Sequence, residues 1–259
     1  MILEVQGLSK RFGGIRAVDG FDLSLSSGEL VGLIGPNGSG KTTVFNLITG
    51  ICAPDAGTVA FDGAGIGGLA PHRINRMGIA RTFQNIRIFK NLSVMDNVKV
   101  ARHALAGYGP VAALCRTGRF RAAEREMAGE GEELLAIFSL QDRRDETAGN
   151  LPYGDQRRLE IARALASRPK ILLLDEPAAG MNPSEVGRIK DLILEIRERF
   201  RLTVLLIEHQ MSLVMEICER IAVMDFGQVI ARGRPDEIRE DPRVIEAYLG
   251  PVTNAEDLE

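Results

Sequence analysis

Residues 35–42, Gly-Pro-Asn-Gly-Ser-Gly-Lys-Thr, place glycine, four residues, glycine, lysine and threonine in the order that suits a polyphosphate. Gly35, Gly38 and Gly40 let backbone N–H groups around Pro36, Asn37 and Ser39 turn inward onto anionic oxygens. A helix opening near Lys41 aims its positive end at the same place. Lys41 reaches the outer phosphates, the Thr42 hydroxyl suits a magnesium ion, and Thr43 belongs to the same cradle. Two adjacent acids, Asp175 and Glu176, end the apolar run 171–174 and divide the remaining chemistry. Asp175 stands where a phosphate-loop ATPase holds magnesium, usually through water, which leaves Glu176 to orient and deprotonate the attacking water. His209 follows the apolar run 204–207, and Gln84 follows the strand-like segment 79–83. Taken alone, His209 reads as a structural histidine and Gln84 as a surface residue. Its place at a strand end beside these acids makes His209 a candidate for contact with a γ-phosphate.

These groups need a scaffold that delivers strand ends to one edge. Residues 30–34, 171–174, 204–207 and 221–224 are short, nearly continuous apolar runs of the kind expected for strands buried on both faces. The stretches between them read as helices. In one, Val186, Ile189, Leu192, Ile193, Ile196 and Phe200 recur at steps of three and four. The expected core is therefore an α/β phosphate-loop fold with a mostly parallel sheet, whose carboxyl edge holds the ligand. Ahead of it, Phe21, Leu23 and Leu25 alternate with Asp22 and Ser24, and turns at 13–14 and 27–28 predict an antiparallel β layer. From about 91 to 167 no buried strand is expected. Patterns at 94–105, 119–140 and 156–166 predict an inserted helical subdomain, and glycines and Pro110 within 106–118 are expected to break any regular element. Residues 62–68 read as a Gly-rich loop.

Bulk properties narrow the class. The 259 residues suffice for one large domain with an insert. With 32 Lys and Arg against 35 Asp and Glu, the chain has no electrostatic footprint for wrapping nucleic acid. Cys52, Cys115 and Cys218 lack zinc-site spacing and read as buried thiols of a reducing cytosol. Glu4 interrupts what would be the apolar part of a signal peptide, and the apolar runs are only strand-length. A membrane role is therefore expected to come through partners.

Phosphate loop, Gln84, the stretch 151–160, the Asp175-Glu176 pair and His209 follow one another as in the ATPases of ABC transporters, which the chain resembles over residues 2–250, leaving a short tail at 251–259. The resemblance implies ATP with Mg²⁺, Gln84 as a magnesium ligand that senses the γ-phosphate, and His209 completing the catalytic site. It implies Phe12 stacking on adenine; from the sequence alone, Phe12 is as readily a small core residue. Residues 151–156 become the signature motif, in which Tyr153, Gly154, Asp155 and Gln156 cap the ATP of a second subunit, identical or paralogous, so that two chains sandwich two nucleotides. A helix N-terminus after a short loop suits that task physically. The motif departs from the common Leu-Ser-Gly-Gly-Gln by Pro152 and Tyr153, which removes a hydroxyl, and 179–182 ends in Asn182 where Asp is usual.

These departures, with Ala-Arg-Thr-Phe-Gln at 80–84, Ala-Ala-Gly-Met-Asn-Pro at 178–183 and the ending 232–250, are similar to ATPases of branched-chain amino acid importers. That likeness implies membrane-spanning permease subunits, an indirect link to a solute-binding protein and a peripheral place on the cytoplasmic face of the membrane. ATPases of lipopolysaccharide export and of urea import share much of the pattern. A soluble ABC ATPase of repair or translation would need a long coiled coil or a second cassette, and a non-hydrolysing module would not need Glu176, His209 and Gln84 together. Apolar Ile86, Ile88, Phe89 and Leu92 directly after Gln84 either fasten the insert or line a groove for a permease helix.

Overall fold

The computed structural model describes residues 1–103 and 108–249. In chain order the elements are β1 Leu3–Phe12, β2 Ile15–Leu25, β3 Leu30–Ile34, α1 Lys41–Ile48, β4 Ala56–Phe61, β5 Ala64–Gly65, α2 Pro71–Met77 and β6 Ile79–Arg81. Four helices follow: α3 Val94–His103, α4 Pro110–Leu114, α5 Gly118–Ile137 and α6 Tyr153–Ala166. The chain then returns to β7 Ile171–Asp175, α7 Pro183–Phe200, β8 Thr203–Ile207, α8 Met211–Ile217, β9 Arg220–Asp225, β10 Gln228–Gly233, α9 Pro235–Glu240 and α10 Pro242–Leu249.

β3, β7 and β8 are buried at every position, which fits their uninterrupted apolar sequence. They lie inside a six-stranded sheet ordered β10-β9-β3-β8-β7-β6, parallel except for β10. Alternation decides which side each residue serves. Leu30, Ile34, Leu172, Leu174, Val204 and Leu206 pack with the helices of the insert and α7. Val31, Leu33, Ile171, Leu173, Leu205 and Ile207 pack with α1 and the second sheet. That sheet is antiparallel, ordered β2-β1-β4-β5, and buries Phe21, Leu23 and Leu25.

Ile189, Leu192, Ile193 and Ile196 form the buried stripe of α7, whereas Phe200 at its end stays 40% exposed. The helix starts on a capping box in which Asn182 and Glu185 each bind the other's backbone N–H, with Pro183 in the first turn.

Several expectations change. Residues 106–118 do contain an element: Pro110 fits the first turn of α4, a position that needs no N–H, so proline starts a helix there. The Gly-rich segment 62–68 contributes β5 to the sheet edge. Cys218 is buried, but Cys52 is only half-buried at the edge of the core and Cys115 is exposed. Leu105, Ala106, Gly107, Gly250 and the tail 251–259 lie outside the described residues.

Candidate nucleotide site

The phosphate loop joins the carboxyl end of β3 to α1, and two of its glycines are sterically required. A Cβ at Gly35, with φ 146°, would sit 2.0 Å from the Met224 carbonyl oxygen, and one at Gly40, with φ 105°, would sit 2.3 Å from that of Ala17. Lys41 is buried beneath the loop, where its Nζ donates to the carbonyls of Gly35 and Pro36 at 2.8 Å each. Burial pushes the Lys41 ammonium below its ordinary range, and the charges of Glu176 and Asp175 oppose that shift.

A cleft of about 420 Å³ opens over this loop. Asn37, Gly38, Gly40, Lys41, Thr42 and Thr43 line it together with Gln84, Glu176 and His209, so residues from four separate strand ends meet there. Glu176 has φ 49°, a left-handed conformation that costs energy for a side chain with a Cβ. Its neighbours hold it there: His209 Nε2 lies 2.7 Å from one carboxylate oxygen, and Gln84 Nε2 donates to the other at 2.9 Å. A carboxylate fixed through both oxygens at a cleft mouth is oriented for general-base work on a water.

Asp175 points one oxygen at Arg81, 2.6 Å away, in an ion pair whose side chains are 5% and 1% exposed. Arg81 itself lies between the rings of Phe45 and Phe83. The other oxygen of Asp175 is buried without a hydrogen-bond partner. An orphaned carboxylate oxygen at the carboxyl end of β7 suits a hard cation that takes its remaining ligands from phosphates and water. No group of three or more His, Cys, Asp or Glu residues is poised to hold a metal among the described residues.

Phe12 and the signature residues do not join the cleft. Phe12 is 51% exposed, which removes the core reading, and it pairs across the β1–β2 hairpin with Ile15, which does line the cleft. Ile15 and Phe226, 73% and 87% exposed, are apolar groups at the cleft that sequence reasoning misses. Phe226 stands at φ 41° next to Gly227, whose turn signal is readable in the sequence. Tyr153, Gly154, Asp155 and Gln156 open α6 elsewhere. Asp155 pairs with Arg158, and Gln156 Nε2 donates to the Leu151 carbonyl at 2.8 Å, so both side chains are engaged locally.

The structure also shows what ties α6 to Gln84. Arg157, fully buried, donates to the carbonyls of Phe83 at 2.6 Å and Gln84 at 2.8 Å and to Glu160 at 2.9 Å. Glu160, 1% exposed, accepts the backbone N–H groups of Phe83 and Arg87. Burial pushes the Glu160 carboxyl up, and these N–H groups and Arg157 oppose that. Just beyond, buried Asn97 of α3 brackets the Phe89 backbone, accepting its N–H at 2.8 Å and donating to its carbonyl at 3.1 Å. Ile88 packs on the core while Phe89 remains 46% exposed. Glu208, 1% exposed, accepts the N–H of Ala178 at 2.8 Å and that of His209 at 3.1 Å, tying the loop after Glu176 to the histidine. Charged residues at these positions give no signal in the sequence, because only burial reveals their work.

Comparisons with known proteins identify the family. The ABC transporter family matches residues 18–179, and a branched-chain amino acid ATP-binding cassette transporter module matches residues 228–250. The chain is 48% identical over 249 residues to the high-affinity branched-chain amino acid transport ATP-binding protein BraF of Pseudomonas aeruginosa, covering 96% of this chain and 98% of that one. It is 39% identical over 248 residues to the lipopolysaccharide export system ATP-binding protein LptB of Escherichia coli, covering 96% and 97%. A crystal structure of an ATP-binding cassette of an ABC transporter in its ADP conformation superposes with a TM-score of 0.83 at 34% identity, covering 96% of this chain and 99% of that one. The chain belongs to the ATP-hydrolysing, ATP-binding subunits of ABC transporters.

Proposed function

We propose that this chain hydrolyses ATP to drive an importer of branched-chain amino acids. The observation that supports hydrolysis is the carboxylate of Glu176, clamped by His209 and Gln84 at the mouth of the phosphate-loop cleft. In this reading Lys41, Thr42 and the loop N–H groups bind the phosphates, with Phe12, Ile15 and Phe226 offering apolar surface to the base. Thr42, Gln84 and the unpartnered oxygen of Asp175 would hold magnesium, which would supply neutralising charge to the phosphates. Glu176 takes the proton of the attacking water, and Gln84 and His209 keep its carboxylate aimed at that water.

Two chains pair so that Tyr153, Gly154, Asp155 and Gln156 of each face the nucleotide of the other. The placement of these residues outside their own cleft supports that arrangement. The helical block 91–167 works as a subdomain that carries this helix end, and the exposed Phe89 loop contacts the permease. The subunit then sits at the cytoplasmic face of the membrane, held by permease subunits that a solute-binding protein supplies; among the described residues no helix is long and apolar enough to cross a membrane. The module matched at 228–250 supports the choice of solute class. Reconstitution with the permease subunits and solute-binding protein of a branched-chain amino acid importer tests that choice. ATP-dependent uptake of leucine into proteoliposomes is expected, and ATP-dependent movement of lipopolysaccharide instead would replace it.

A further inference from the structure

The strip from α4 to the first turns of α5 exposes two kinds of groups together. Val111 and Leu114, three apart on α4, are 75% and 85% exposed, among the most exposed large apolar side chains of the protein. Arg116, Arg119, Arg121 and Arg125 follow within eleven residues, all exposed, and none has a carboxylate partner among the described residues. That is unusual in a chain whose acids outnumber its bases by 35 to 32. The nearby Glu124 is already held by Lys99 at 2.8 Å and by the Tyr108 hydroxyl at 2.7 Å.

The strip is held in place. Tyr108 meets the ring of Phe120 edge-on at 5.0 Å, and its burial and its bond to Glu124 push the phenol up to about 12, so it stays a neutral donor. Thr117 caps α5 by accepting the Phe120 N–H, and Arg121 Nε donates to the Arg116 carbonyl at 3.0 Å. Val111 and Leu114 stay exposed on the helix just before it.

We infer that this strip docks on an anionic lipid surface, with Val111 and Leu114 entering the headgroup boundary and the arginines facing lipid phosphates. An apolar edge flanked by basic residues is the pattern of interfacial membrane segments. The opposite choice, a permease loop, is disfavoured by charge: cytoplasmic loops of membrane proteins carry excess Lys and Arg, which would repel these arginines, whereas the inner leaflet is anionic. In the assembled transporter the strip works as a second anchor beside the permease. The inference rests on the cytoplasmic-face placement proposed above.

Flotation of the purified full-length chain with vesicles tests it without the permease, so its failure leaves the transport reading untouched. Binding is expected to vesicles of phosphatidylcholine with about a third phosphatidylglycerol and not to phosphatidylcholine alone, and to weaken with salt. Arg116→Gln/Arg119→Gln/Arg121→Gln is expected to lower affinity by about a hundredfold, since each arginine near an anionic leaflet is worth about fivefold. Val111→Ser/Leu114→Ser is expected to lower it as well, with thermal melting and ATPase rate unchanged in both variants. Absence of binding to the anionic vesicles overturns the inference, as does wild-type binding by both variants. Normal vesicle binding by the variants with lost capture by the detergent-solubilised permease would move the strip to the permease instead.

Discussion

Arg157→Met removes a guanidinium from the most enclosed charged site in the protein, where its side chain is 0% and that of Glu160 1% exposed. Breaking one partner out of such a pair costs about 3–5 kcal/mol. A second route gives the same size. Charge-assisted hydrogen bonds to the Phe83 and Gln84 carbonyls are lost, each worth about 1.5–3 kcal/mol, but Gln84 is exposed and water recovers part. Protonation of the stranded Glu160 limits the damage, because moving a carboxyl from its ordinary pKa to pH 7 costs about 4 kcal/mol. The expected loss is therefore about 4 kcal/mol, a large share of the roughly 5–15 kcal/mol that holds a domain folded. The sign with pH follows. In the variant Glu160 has a folded pKa raised further above its unfolded value, so stability falls as pH rises through that window. The deficit relative to wild type should shrink by up to about 2.7 kcal/mol from pH 7 to pH 5. Urea unfolding at both pH values reads this directly. Arg157→Met/Glu160→Gln should recover stability and lose the pH dependence, since the introduced amide oxygen still accepts from the Phe83 and Arg87 N–H groups. A single-variant loss below about 1 kcal/mol, or an equal loss at both pH values, would rule out a buried, charge-paired Glu160 as the source of the effect.

Lys41→Ala should weaken ATP binding itself, because the charge is removed from the phosphates; near-wild-type affinity in a fluorescent-nucleotide titration would count against the phosphate-loop assignment. Arg81→Met leaves Asp175 buried and unpaired, and should cost about 3–5 kcal/mol in thermal melts without nucleotide. Magnesium and ATP together should restore part of that loss, and no rescue would argue that Asp175 does not meet the metal. Phe89→Asp should leave the isolated subunit folded and active as an ATPase while abolishing assembly with the permease, since Phe89 is exposed and its backbone is fixed by Asn97. A destabilised subunit would instead make Phe89 a fastener of the helical insert, and a folded one that assembles and transports normally would remove the groove.

Much of this architecture is legible in the sequence because period and chemistry coincide. Residues 30–34, 171–174 and 204–207 carry no polar side chain, and a strand buried on both faces needs none. The residues that meet in the cleft sit at the carboxyl ends of such strands, so reading the strands locates Glu176 and His209 as well. α4 escapes that reading because proline and glycine count as breakers, although proline suits a first turn. Arg157, Glu160, Asn97 and Glu208 escape because a charged or amide residue on a helix or loop looks solvated until its burial is known. Phe226 is hidden for a different reason: a lone aromatic in a turn shows its place at the cleft only after β9 is folded against β3.

The role of Glu176 as the base that drives hydrolysis stands or falls with Glu176→Gln, because Gln keeps the shape and the reach to Gln84 and His209 while losing the ability to take a proton. Measured on the purified subunit with magnesium and ATP, turnover should fall by about 10²- to 10⁴-fold with ATP affinity preserved. The variant should also accumulate as an ATP-bound dimer by size-exclusion chromatography. Unchanged turnover in this variant would transfer the base role away from Glu176, with His209 the next group to test.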